Sequence, residues 1–162
     1  MLRNFRSFAP VWILAAMIAA GVVAPVNAQS GANEQSLKTA HETMINSVKT
    51  ANLTILQAMI HPRALGFFYG SQFPVQLRGD YSAADALPAV VDDLGRFVAV
   101  PTDTVYRVVG QVGVVCMTSA MQPKKGQDQQ PRYLRGTYIY IWEGGNWKLV
   151  SWHGSDTPLV KK

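Results

Sequence analysis

The stretch that most constrains this chain runs from Pro131 to Pro158, where two runs of β-branched and aromatic residues flank Gly144-Gly145-Asn146. Glycine and asparagine accept the positive φ angles of a tight turn, and the flanking residues prefer a pleated, half-buried surface, so the segment reads as a β-hairpin of two long strands. A lone hairpin is marginal in water, so the remaining chain must supply a cover for one of its faces. A three-residue loop would set Tyr138 opposite Trp152 and Tyr140 opposite Val150, with Ile139 and Ile141 sharing the other face with Ser151 and Leu149. A two-residue loop would group Tyr138 and Tyr140 with Ser151 and His153. The three-residue loop is preferred, because it makes one face aromatic and the other aliphatic.

The cover is legible upstream. Between Glu34 and Ala51, the residues Leu37, Ala40, His41, Met44, Ile45 and Val48 recur at spacings of three and four, which marks one buried helical face. His41 lies on that stripe and reads as a packed boundary residue. Asn52 is placed to cap a second helix over Leu53 to Ile60, which His61-Pro62 would stop, and its match to a glycosylation sequon is explained equally well by capping. Ala64 to Tyr69 reads as a strand, followed by a turn at Gly79-Asp80. Ser82 caps a helix from Ala83 to about Leu94 that contains Pro88. Asp92-Asp93 would stand at its C-terminal end, against the helix dipole, and reads as solvated. After Pro101, the segments Thr104 to Val109 and Val112 to Met121 read as strands, and Gln122 to Gln130 as a loop. Helices first and antiparallel strands after make an α+β domain with helices on one face of a curved sheet.

The first residues belong to something else. Arg3 and Arg6 precede an apolar run from Val11 to Val23, and Val26-Asn27-Ala28 offers small residues where a signal peptidase cuts. The expected organisation is a secretory signal over residues 1–28 and one domain over residues 29–162, in a periplasmic or secreted protein. The apolar run is short of the roughly 20 residues a transmembrane helix needs, so no membrane anchor is expected after cleavage. Loss of Arg3 and Arg6 leaves thirteen basic against ten acidic side chains, a net charge of +3. The basic residues are scattered, and nucleic-acid binding is not expected. Cys116 is the single cysteine, so no internal disulfide forms, and its apolar neighbours mark it as a buried small hydrophobe. His41, His61 and His153 show no metal-ligand spacing, and neither a metal nor a cofactor is expected.

The run Trp147-Lys-Leu-Val-Ser-Trp-His-Gly-Ser155, preceded by Trp142-Glu-Gly-Gly-Asn and followed by Pro158, resembles the closing hairpin of the SnoaL-like, nuclear-transport-factor-2-like superfamily. The resemblance covers Glu34 to Pro158 and implies a cone-shaped fold, in which a curved antiparallel sheet wraps N-terminal helices. That superfamily includes ketosteroid isomerases, polyketide cyclases, scytalone dehydratase and kinase association domains, so the resemblance specifies a fold rather than an activity. A cone of this kind leaves an apolar cavity at its wide end.

Three functions fit such a cone. The first is binding of a small apolar or aromatic molecule, with Tyr69, Tyr106, Tyr138, Tyr140 and Trp152 as the lining. The second is an isomerase, dehydratase or cyclase, which needs an acid or base in the cavity; His153 is the candidate tied to the resemblance, with Asp80, Asp85 and Asp103 as others. Neither the His-Asp pair of scytalone dehydratase nor the aspartate and tyrosine of ketosteroid isomerase can be placed residue by residue. The third is a dimeric interaction domain whose sheet faces meet, and a homodimer is expected in the binding case as well.

Overall fold

The computed structural model describes residues 31–67, 75–76 and 83–157. The expected signal segment, Tyr69 and the turn at Gly79-Asp80 lie outside them. Helix α1 spans Glu34–Lys49 and begins at a capping box, in which the Asn33 side chain accepts from the Ser36 N–H and the Ser36 hydroxyl accepts from the Asn33 N–H. The reciprocal bonds satisfy amide groups that a helix start otherwise leaves open. The periodic stripe is the buried face of α1, with Leu37, His41, Met44 and Val48 all turned inward. Helix α2 spans Leu53–Met59 and is capped by the side chain of Asn52, which accepts from the Ile55 N–H at 3.2 Å.

Strand β1 follows at once over Ile60–Phe67, so the chain passes through His61-Pro62 as strand. After the two-residue strand β2 (Val75–Gln76), helix α3 spans Ala83–Gly95 with Pro88 inside it. The remaining strands are β3 (Phe97–Val109), β4 (Val112–Pro123), β5 (Arg132–Glu143) and β6 (Asn146–Thr157). They join β1 and β2 in one sheet of order β2-β1-β6-β5-β4-β3. All neighbouring pairs are antiparallel except β1 with β6, which is parallel. A parallel neighbour requires a long crossover, and here α3 and four strands, β2 to β5, intervene.

Strand β3 begins seven residues before Thr104 because Pro101 does not break it. The strand is at the sheet edge, where a missing N–H costs no ladder bond. Its register shifts between Pro101 and Asp103, leaving Thr102 as an extra residue whose hydroxyl meets that of Thr118 at 2.8 Å. The bulge switches the inward set from Phe97, Ala99 and Pro101 to Thr104, Tyr106 and Val108, and it bends the strand over the helices.

The closing hairpin turns on two residues, not three. Gly144 (φ 56°) and Gly145 (φ 80°) form the turn, and Glu143 pairs with Asn146. The twist of a right-handed strand pair favours this left-handed two-residue turn, which only glycine and a few polar residues adopt freely. A bulge at Val150 then changes the register, so that Tyr140 faces Leu149 while Ile139 faces Ser151 and Tyr138 faces Trp152. The Tyr138–Trp152 pairing expected of a three-residue loop is therefore reached by a shorter turn plus one bulged residue. Tyr140 faces Leu149 rather than Val150.

The inner face of the sheet closes over α1 and α2 to make a core that includes Leu37, Met44, Leu56, Ile60, Val115, Tyr140 and Leu149. Cys116 is exposed rather than buried, because β4 alternates strictly and Val115 takes the inward position beside it. Asp92 and Asp93 are both paired. Asp92 meets Arg96 at 2.6 Å, and Asp93 meets Arg132 at 2.8 Å, which ties the end of α3 to the start of β5.

Candidate functional site

Where α1 ends, the sheet continues beyond its cover and leaves a cavity of about 260 Å³. Met44, Ile45, Val48 and Lys49 of α1 form one side, Leu94 and Gly95 of α3 another, and strands β3 to β6 the floor. In the floor, Gly136 of β5 stands opposite Gly154 of β6, next to the Tyr138–Trp152 pair. A β-carbon on Gly136 would sit 2.7 Å from the Tyr138 ring. Glycine there lets the tyrosine lean back along its own strand and stack on Trp152, with ring centres 5.5 Å apart and planes 25° apart. Two adjacent strands without side chains at this level also leave the floor hollow.

The wall is mainly apolar, with Met44, Met117 and Met121 among its residues. Ser119 is the exception in its depth. It is 3% exposed, and its hydroxyl has no hydrogen-bond partner among the described residues. A buried hydroxyl left unpaired costs about 1–3 kcal/mol. Burial pushes the Tyr138 hydroxyl far above the usual phenol range, with the indole of Trp152 opposing the shift, so the phenol stays protonated. The charged residues of the wall, Lys49, Lys124 and Arg135, are all cationic and all exposed. Among the described residues the wall carries no carboxylate and no imidazole.

A second polar cluster lies deeper. His41 is 2% exposed, and its Nδ1 shares a 2.9 Å hydrogen bond with the Tyr140 hydroxyl, the donor depending on which ring nitrogen carries the proton. Its Nε2 has no hydrogen-bond partner among the described residues. The imidazole meets Tyr138 edge-on at 4.7 Å, and Tyr106 and Tyr140 at 6.0 Å. Removal from water lowers its pKa from 6.5 to about 4, so it is neutral at neutral pH. Burial likewise drives the Tyr140 hydroxyl well up. Of this cluster only Tyr138 lines the cavity, and its ring separates His41 from it.

The residues expected to form a site are thus divided by the structure. Tyr138 and Trp152 line the cavity. Tyr140 is wholly buried against His41, and Tyr106 is partly buried beside it, neither in the cavity wall. Tyr69 lies outside the described residues, as does Asp80, and the side chain of Asp85 is likewise not described. His153 stands on the outer face of the sheet, paired with Thr137 and 6.0 Å from the Phe67 ring. The Val150 bulge turns Trp152 inward, so the next residue must point out. His153 and Asp103 share a shallow outer groove with Val105, Cys116 and Thr137, on the opposite side of the sheet from the cavity floor, so neither can serve as its acid or base.

Ser119, Gly136, Gly154, Lys49 and Lys124 were not singled out from sequence. Ser119 could have been found: the inward phase of β4 runs Val115, Met117, Ser119, Met121, and a hydroxyl in a core phase is a polar group sent inside. The described residues hold no group of three side chains able to ligate a metal.

The SnoaL-like domain family matches residues 37–160. Among solved structures, the chain is similar to a candidate ketosteroid isomerase from Shewanella frigidimarina, with TM-score 0.65 and 15% identity over 80% of this chain and 98% of the other. It is similar to a candidate dehydratase of the nuclear-transport-factor-2-like family from Streptomyces avermitilis, with TM-score 0.66 and 14% identity over 77% and 96%. It is also similar to a candidate calcium/calmodulin-dependent protein kinase II association domain from Xanthomonas campestris, with TM-score 0.60 and 18% identity over 79% and 91%. At these identities the likeness concerns the fold alone. No curated protein matches the sequence significantly.

Proposed function

The chain belongs to the SnoaL-like domain family, and from the site it builds on that fold we propose that it binds a small apolar or aromatic molecule in the cavity above Tyr138 and Trp152. The observation that carries this reading is the unpaired, 3% exposed hydroxyl of Ser119 in the wall of an otherwise apolar hollow of about 260 Å³. Few polar groups in an apolar pocket is the usual composition of a small-molecule site, the polar group fixing orientation. Binding is favoured over catalysis, because the described part of the wall offers serine, tyrosine and cations but no general base. The test is titration of Trp152 fluorescence with naphthalene derivatives, using Trp152→Phe to identify the signal. Saturable quenching in the unaltered protein, lost on Ser119→Trp, supports the reading. No saturable change with any of them refutes it.

We infer from the basic start, the apolar run and Val26-Asn27-Ala28 that the protein acts outside the cytoplasm, after cleavage following Ala28. Amino-terminal sequencing of the protein from a periplasmic fraction should start at Gln29, and an intact Met1 would overturn the export reading.

A second reading concerns assembly. On the outer face, Leu65, Phe67, Val105 and Val112 are each more than 40% exposed, and the register sets Val105, Cys116, Thr137, His153 and Phe67 in one row across five strands. We propose that two copies meet through this face, as the similarity to an association domain also favours. Light scattering should give twice the chain mass, reduced to one on Val105→Glu, while a monomer in the unaltered protein refutes it.

A further inference from the structure

Among the described residues, the charges that line the cavity have one sign. Lys49 stands at the end of α1 and Lys124 just after β4; both are exposed, and both line the cavity. Neither makes an ion pair or a side-chain hydrogen bond among the described residues. Arg135, the third cation of the wall, donates to the Ser155 hydroxyl at 3.0 Å. The acids of the neighbouring helix end are engaged, Asp92 by Arg96 and Asp93 by Arg132. Among the described residues, two cations without a side-chain partner therefore sit at the edge of an apolar hollow whose wall holds no acid. The hollow itself limits the guest: a cavity of roughly 150 Å³ holds benzene, so one of about 260 Å³ accepts a body of about ten heavy atoms.

We propose that the ligand is an amphipathic organic acid, with an apolar or aromatic body of about that size over Tyr138 and Trp152 and a single carboxylate held at the mouth by Lys49 and Lys124. The inference rests on the small-molecule reading above and adds the class of the ligand. An ionised carboxylate cannot follow the body inside without a large loss of hydration, whereas at the mouth it keeps water and gains two positive charges. The same charges raise the local concentration of anions and speed their capture at low salt.

The test compares naphthoate with naphthamide, which has nearly the same shape and no charge, by calorimetric titration of the purified protein. Two exposed lysines should favour the acid by about tenfold at low ionic strength, shrinking as salt is added. Lys49→Met with Lys124→Met should bring the ratio to about one; the ratio is the readout, because a methionine in the wall changes the affinity for both compounds alike, and both positions are exposed, so folding is retained. If naphthamide binds as tightly as naphthoate, or the preference survives in the double variant, the acid-ligand inference falls and the cavity remains a neutral site. If neither compound binds, both the inference and the reading beneath it fall.

Discussion

His41 offers a test of the core that needs no ligand. Its pKa falls from 6.5 to about 4 on folding because the ring is stripped of water. The unfolded chain therefore binds a proton that the folded one refuses between those two values, so the contribution of neutral His41 is intact above about pH 6.5 and is lost as pH falls toward 4. The full loss is about 3 kcal/mol, and about 2 kcal/mol is already gone at pH 5. Substitution His41→Gln keeps a group able to bond the Tyr140 hydroxyl but removes the titration. Urea unfolding at pH 8 and pH 5 should therefore show a drop of about 2 kcal/mol for the unaltered protein beyond that of the variant. The absolute stability of the variant does not enter, because the comparison reads a slope. His61 and His153 are present in both proteins and cancel. An equal pH dependence in the two would show that His41 is hydrated or paired in solution, and the closed cluster of Tyr106, Tyr138 and Tyr140 around it would be wrong.

Gly136→Ala places a β-carbon 2.7 Å from the Tyr138 ring; displacing the stacked pair should cost about 1–3 kcal/mol in denaturant unfolding and abolish quenching of Trp152 by ligand. Ser119→Ala removes an unpaired buried hydroxyl, so thermal unfolding should show the free protein unchanged or stabilised by about 1 kcal/mol, while calorimetry shows weaker naphthoate binding. Asn33→Ala dismantles the capping box of α1 and should cost about 1 kcal/mol in the same unfolding assay.

The sequence carries the elements wherever local physics decides them. The stripe of α1, the Asn52 cap and the alternation of β4 and β5 each follow from short-range patterns, and each stands in the structure. The stop at His61-Pro62 also stands, α2 ending at Met59. The same patterns mislead at two places where tertiary context overrides them. Pro101 lies in a strand because that strand is an edge, and Cys116 is exposed because its apolar neighbours occupy both faces of a sheet covered on only one side.

The cavity depends on two irregularities that no local pattern announces. Without the bulge at Val150, the two-residue turn would pair Tyr138 with Ser151 and send Trp152 to the outer face. The stacked pair that lines the floor exists because β6 holds one residue more than its partner across that interval. Likewise the extra residue at Thr102 brings Phe97, Ala99 and Pro101 inward, and all three face the hollow. Each bulge exchanges the inner and outer sets along the rest of its strand, so candidate residues chosen by alternation alone fall on either face with equal ease. That is why Trp152 and His153, adjacent in the same motif, part to opposite sides of the sheet. It is also why the described wall of the cavity carries Ser119 and lysines at the ends of elements rather than the histidine that the hairpin displays.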